Sequence, residues 1–572
     1  MRNSTKILLI VIVAVMAAIG IRAYQILTDT ETVEGINSMK VSGQWNSIIS
    51  NAVNDSCISM VVDGNSIIID SESLYLDENR SLLIKTELLR DIFSCAVNIG
   101  KKEDVIIEKS NTKIVMSASD GKTTVNGKFS DEVLVKRNGE YYVPVSLFED
   151  YLSYNYKWNY KNNTAELTNT RPDERIYPVT YDYRDYGRIL RVKNQGDLGT
   201  CWAFASIMAM ETSLMPLQEY DFSEDHMTWH NGYNLTQAEG GEYNMSMAYL
   251  ASWKGPVLEI DDTYGDGESP DNLSSVVHVQ EMQIIASKDL DGIKRAVFLY
   301  GGVQSSLYMS THDSDGNDSA SYNSKNSAYC YIGKEKSNHD VVIVGWDDSY
   351  PAENFSTRPD GDGAFICVNS WGDEFGEDGY FYVSYYDSGI GVHNLVYTGI
   401  EKTGNYDKIY QSDLCGWIGQ LGYNREYAYF ANVYKTSENE ELKAVGFYAT
   451  NPATVYEVYV VENYEDETSF RNRKLVASGS VVNAGYYTVE LAEDIFIPAA
   501  QEYAVIVYIN TPGSKKPVAI EYNGGEATAT VDISDGKGYI SLHGNRWEHV
   551  EETQNCNICL KAYTNKITLT EG

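Results

Sequence analysis

Positive charge is scarce in this sequence. Its 572 residues carry 45 Lys and Arg against 81 Asp and Glu, a formal net charge of -36. Phosphate binding needs basic surface, so nucleic acid is excluded as the main partner, and the acidity suits a chain kept soluble outside a cell. Histidine is rarer still, with eight in all, and none falls into a familiar metal spacing. The eight cysteines (Cys57, Cys95, Cys201, Cys330, Cys367, Cys415, Cys556 and Cys559) are scattered, which excludes a dense disulfide framework. Cys556 and Cys559 form a C-x-x-C without a second pair, and His543 and His549 do not complete a zinc site. They read as part of a strand with Cys559 facing the core. Long apolar runs are also missing, except for the 15 residues from Ile7 to Ile21 that end at Arg22. That run is short of the ~20 residues a membrane span needs. Residues 1–27 therefore read as a signal peptide, or, extended to Leu27 with Arg22 reaching the interface, as an uncleaved anchor. Either way the rest of the chain is exported, and with no hydrophobic C-terminal tail any anchor is N-terminal.

Tyrosine is abundant, 45 against 14 Phe, and points to β-rich extracellular domains. Residues 28–60 are polar and read as a linker. From 61 to 170 short alternating strands such as Thr123-Thr124-Val125 are broken by Asp63-Gly64, Asp120-Gly121 and Asn126-Gly127 turns. A weak repeat links Leu88–Phe93 plus Val97–Ile99 to Leu147–Leu152 plus Tyr156–Trp158. This segment resembles the small α+β stalk domain at the N-terminus of copper amine oxidases and on many bacterial surface proteins. It holds no histidine, so copper chemistry is not implied and a spacer or wall-contacting module is expected.

Between residues 181 and 400 the stretch Val192-Lys193-Asn194-Gln195-Gly196-Asp197-Leu198-Gly199-Thr200-Cys201-Trp202 bends at two glycines and opens an apolar helical run at Cys201. A cysteine at a helix N-terminus meets free N–H groups and a partial positive charge, so a lowered thiol pKa is expected. Gln195, six residues upstream, can fold its amide back beside the sulfur. The stretch resembles the active-site segment of papain-family cysteine peptidases, whose signature is C-G-[SA]-C-[WY]. Leu198 stands where that family's animal and plant members carry a disulfide-bonded cysteine, so that disulfide is absent.

Downstream, Asn338-His339-Asp340-Val341-Val342-Ile343 puts a histidine at the head of a β-branched strand, 138 residues after Cys201. Phe365-Ile366-Cys367-Val368-Asn369-Ser370-Trp371-Gly372 resembles the family's next strand, displaced by an acidic insertion from Tyr350 to Gly363. The resemblance implies Cys201 as nucleophile, His339 as its acid–base partner and Asn369 as the acceptor that orients the imidazole. Gln195 and the Cys201 N–H would hold the oxyanion. Phe222–Met227 resembles the family's helix beside the active-site helix. Gly240, Gly241 and Trp371 are candidate substrate-binding residues, the glycines lying along the peptide and the tryptophan shielding the His339–Asn369 bond. Neither metal nor organic cofactor is needed. His226, His230, His278, His312 and His393 read as structural or surface residues, and Asp313–Asp318 as a solvated acidic loop rather than a calcium site. No helical prosegment precedes the catalytic stretch, and whether the stalk acts as one stays open.

Residues 405–566 show further short strands, among them Val455–Val461 and Tyr503–Tyr508, as in a sandwich. In this position they resemble the lectin-like domain that follows papain-type domains in bacterial surface proteins, with aromatic residues available to stack on sugars. The fold expected is multidomain: an α+β stalk, an α+β two-lobed papain-like catalytic domain and an all-β sandwich. The function expected is an exported cysteine endopeptidase acting on proteins or peptides through a thioester acyl-enzyme, with cell-wall or host glycans as possible partners of the sandwich. An adhesin with a degenerate catalytic domain is the alternative, and acyl transfer to amines a third, disfavoured by Asn369-Ser370-Trp371.

Overall fold

Two-residue turns organise the N-terminal unit. Val62 pairs with Asn65 across Asp63-Gly64, Val125 with Lys128 across Asn126-Gly127, and Arg137 with Glu140 across Asn138-Gly139. All six turn residues have positive φ, the primed geometry that matches strand twist and that Asn, Asp and Gly tolerate. The computed structural model describes residues 58–567 except 68, 70–71, 78–80, 101–102 and 160–161. The proposed signal or anchor at 1–27 and all but the last residues of the 28–60 linker lie outside the described residues. No described helix is long and apolar enough to cross a membrane.

The N-terminal unit is built from sheets of four, four and five strands and two short helices, Leu88–Phe93 and Ser146–Asp150. The weak repeat maps onto these helices and the strands after them, Ala96–Ile99 and Tyr154–Asn159. Phe93 and Phe148 meet edge to face at 4.5 Å, so the repeat builds the centre of this core.

In the central unit, one side is helical and the other a sheet. The helices Cys201–Leu214, Glu224–His230 and Tyr243–Ala251 pack together. Cys201–Leu214 is buried over nearly its whole length, so it has no solvent-facing stripe, and its buried polar residues such as Ser206 and Glu211 are hydrogen-bonded or ion-paired. It lies against the strand His339–Asp347, itself buried from His339 to Trp346. Ser223 caps the second helix by accepting from the His226 N–H at 3.0 Å. The insertion at 350–363 spans the loop between His339–Asp347 and its antiparallel neighbour Ala364–Val368, leaving the register Val342↔Val368 intact.

The C-terminal unit is β-sheet, with a core formed between a six-stranded sheet and the long strands Glu440–Ala449, Ala484–Ile497 and Leu560–Lys566. Cys559 packs in the buried core of the molecule. The sequence pattern treats the central and C-terminal units as separate modules, but the backbone joins them. Val277–Ile285 of the central unit pairs with Asn394–Lys402 on one side and with Ala484–Ile497 on the other, so one 13-stranded sheet runs through both. At the seam Gly485 has φ +145°, and a Cβ there would collide with the Met282 carbonyl. The N-terminal unit docks on the central one through Tyr186, which donates to Glu108 at 2.9 Å, and through Arg295, which donates to Ser94 at 2.8 Å.

Candidate active site

Cys201 is the first residue of its helix, and no side chain caps that end. Thr200, at the cap position, gives its hydroxyl to Tyr264 at 2.7 Å, and Tyr264 in turn donates to the Gln195 carbonyl at 2.9 Å. With no side chain capping the helix, the Cys201 and Trp202 N–H groups are left to face the sulfur, while Ala203 and Phe204 donate to the Thr200 carbonyl. The loop before the helix is pinned from beneath by Lys193, a buried cation whose Nζ lies 2.7 Å from Glu224 and 3.1 Å from Glu211. Removing either carboxylate would strand part of a buried charge, which makes this triad a rigid footing.

Gln195 is buried and held at both ends of its amide. Its Nε2 donates to the Leu198 carbonyl at 2.8 Å, and its Oε1 accepts from Ser370 Oγ at 2.6 Å. One of the two Nε2 hydrogens is therefore still free for a ligand. Backbone bonds knit the same segments: Gln195 N–H donates to the Ser370 carbonyl at 2.9 Å, and Asn194 bridges to Trp371.

His339 heads its strand and donates from Nε2 to Asn369 Oδ1 at 2.7 Å. The same oxygen accepts from the Ser370 N–H at 2.8 Å, which fixes the asparagine. The Trp371 ring covers the imidazole with centroids 4.8 Å apart. Burial lowers the His339 pKa, and the bond to Asn369 works against that. Cys201 and His339 line one cavity of about 740 Å³ together with Gly240 and Gly241. Gly240 has φ +80°, and its backbone presses on Gly199. A Cβ on Gly241 would come within 2.5 Å of Trp202 Nε1 and 2.8 Å of Met245 Sδ. Gly240 needs glycine for its left-handed backbone, and Gly241 because its backbone is packed against Trp202 of the Cys201 helix.

One expectation is corrected. A lowered Cys201 thiol pKa is not what the resting site yields. Burial pushes it up to about 11 and the Asp340 carboxylate adds to the rise, while the backbone N–H groups of Asp340, Trp202 and Cys201 pull it down. Desolvation outweighs the helix end, so a thiolate here needs a protonated His339 as its countercharge.

Residues that motif reading missed complete the surroundings. Asp340, next to His339, accepts from Gln304 Nε2 at 2.8 Å, and Gln304 Oε1 accepts from Ser206 at 2.7 Å. His393 stands exposed on the cavity wall, 54 residues beyond the His339 motif, where no local pattern signals it. Asp340 could have been singled out as a charge at the head of a buried strand. Among the described residues, the N-terminal unit supplies none of those that line the cavity. The seven described cysteines are all free; Cys57 lies outside the described residues. Among the described residues no group of three or more His, Cys, Asp or Glu could hold a metal ion. In the Asp313–Asp318 loop the Asp313 carboxylate accepts from the N–H groups of Asp315 and Asn317.

Comparison with known proteins places this geometry. Residues 177–400 match the family described as papain family cysteine protease, 61–167 the copper amine oxidase N-terminal domain, and 409–564 the lectin like domain. Pro-cathepsin H of Mus musculus is 26% identical over 260 residues, 43% of this chain and 74% of its own length. A viral cathepsin of Heliothis zea nuclear polyhedrosis virus is 25% identical over 295 residues, 50% of this chain and 71% of its own. Among solved structures, the clostridial cysteine protease Cwp84 after propeptide cleavage superposes with TM-score 0.60 at 28% identity, covering 68% of this chain and 99% of that one. A second structure holds the cysteine protease and lectin-like domains of Cwp84, a surface layer associated protein of Clostridium difficile. It gives TM-score 0.58 at 27% identity, with 68% and 89% covered. Residues 177–400 form a papain-family cysteine peptidase domain, with a copper amine oxidase N-terminal domain before it and a lectin-like domain after it.

Proposed function

We propose that the chain is an exported endopeptidase in which Cys201, His339, Asn369 and Gln195 hydrolyse peptide bonds. The observation that carries this reading is the His339–Asn369 bond at 2.7 Å, beneath Trp371, in the cavity that also holds Cys201. His339 takes the proton of Cys201, and the thiolate adds to the substrate carbonyl carbon. The resulting oxyanion accepts from the Cys201 N–H and the free Nε2 hydrogen of Gln195. The imidazolium then protonates the leaving amine as the C–N bond breaks, which leaves a thioester on Cys201. A water molecule gives its proton to His339 and attacks the thioester, releasing the acid and the thiolate. Asn369 keeps the imidazole oriented through both transfers.

Export is supported by the apolar run at 7–21 and by likeness to a surface layer associated relative. The lectin-like domain is assigned to glycan binding on its family match alone. The limits 61–170, 181–400 and 405–566 for the three domains belong to the same proposal. Labelling with an epoxide inhibitor of papain-type enzymes, beside Cys201→Ala, tests it. Label on Cys201 with Cys201-dependent peptide cleavage is expected. A folded chain that neither labels nor cleaves would shift the assignment to a surface protein with an inert catalytic domain.

A further inference from the structure

The cavity that holds Cys201 and His339 has a carboxylate in its wall for which peptide hydrolysis has no use. Asp340 is 8% exposed and lines that cavity. Its Oδ2 is held by Gln304, and it forms no ion pair among the described residues. Carboxylates this deeply buried are normally paired with a cation. Tyr243 lines the same cavity and gives it an aromatic wall. In the cavity lining, Glu239, Glu242 and Glu335 outnumber Lys334 and Lys336, and the whole chain carries a charge of -36.

We infer that Asp340 determines specificity by receiving the ammonium or guanidinium group of a substrate Lys or Arg that lies within two residues of the cleaved bond. The assignment rests on the peptidase reading and names its substrate class. The aliphatic stem of such a side chain packs on Tyr243, whose ring face also attracts the cation, and the head group supplies the charge that Asp340 lacks. A bound cation also offsets the field by which Asp340 opposes ionisation of Cys201, so the substrate that fits the cavity eases formation of its own nucleophile.

The test uses matched peptides that carry lysine, its uncharged isostere norleucine, or acetyl-lysine at each position flanking the cut, with binding to full-length Cys201→Ala measured by calorimetry. At one position the lysine peptide is expected to bind at least tenfold more tightly than the norleucine or acetyl-lysine peptide. The preference is expected to fall below threefold when Asp340→Asn or Asp340→Ser is added, and to survive Asp340→Glu. The native chain should show the same ranking in kcat/KM. Equal binding of lysine and norleucine peptides, or a preference that persists in variants with native-like near-UV circular dichroism, overturns the assignment. Lysine selection by Cys201→Ala, together with no cleavage by the native chain, would overturn the peptidase reading and leave the role of Asp340 standing.

Discussion

Gln195→Ala separates transition-state stabilisation from everything else the loop does. The substitution removes the Nε2 hydrogen assigned to the oxyanion, together with the bonds to the Leu198 carbonyl and Ser370 Oγ. The backbone ties from Gln195 to Ser370 and Tyr264 stay in place, so the loop keeps its path. Losing one oxyanion donor costs about 2.7–4 kcal/mol, roughly a 100- to 1,000-fold fall in kcat. Losing two neutral side-chain bonds destabilises the fold by about 1–3 kcal/mol. Alkylation of Cys201 by iodoacetamide has no oxyanion to stabilise, so its rate should hold within a few-fold. The assay is peptide hydrolysis beside alkylation, with near-UV circular dichroism as the control for folding. A folded variant with kcat within tenfold of native, or an alkylation rate that falls in parallel with kcat, would refute the reasoning.

Asn369→Ala removes a bond to the charged form of His339, worth about 1.5–3 kcal/mol, so kcat/KM should drop about 10- to 150-fold. Because that bond raises the imidazole pKa, the alkaline limb of the pH–rate profile should move to lower pH; an unmoved limb speaks against the assigned role. Gly241→Ala forces Trp202 or Met245 to shift, a strain of about 1–3 kcal/mol against the helix that carries Cys201. Lower thermal stability and lower kcat/KM are expected together, and a neutral result in both would show that the contact is soft. Glu281 lies on the shared sheet, bonded by Gln283 and Thr398, and burial pushes its carboxyl from 4.5 to about 7. The folded chain therefore holds a proton that the unfolded chain releases. This contribution to stability is full below about pH 4.5 and lost as pH rises through 7. Glu281→Gln should flatten that part of the stability–pH curve, as read by chemical denaturation between pH 5 and 8.

The elements that were legible in the sequence are those written in short stretches. The turns at Asp63-Gly64 and Asn126-Gly127 and the helix-opening Cys201 each need only a few neighbouring residues, and so does the strand headed by His339. The Leu88 and Leu147 repeat was visible because both copies serve one core. What could not be read depends on distance. The pairing of Glu281 with Tyr487 joins segments some two hundred residues apart, and nothing in either strand announces the other. His393 reaches the cavity through sheet register, not through a motif. The thiol pKa went the other way because a helix end is visible in sequence, whereas the burial and the Asp340 charge that outweigh it appear only in three dimensions.

The shared sheet bears on how such chains can be recombined. An ordinary linker would let the lectin-like domain be exchanged freely. Here Glu281–Ile284 would be left with a bare row of N–H and C=O groups if their partner were taken away, a template for unwanted strand pairing. Any replacement must present an antiparallel strand in the same register, with glycine where Gly485 clears the Met282 carbonyl. Catalytic and lectin-like domains are thus transferable only as a joined pair, and the site at Cys201 travels with its β-sheet neighbour.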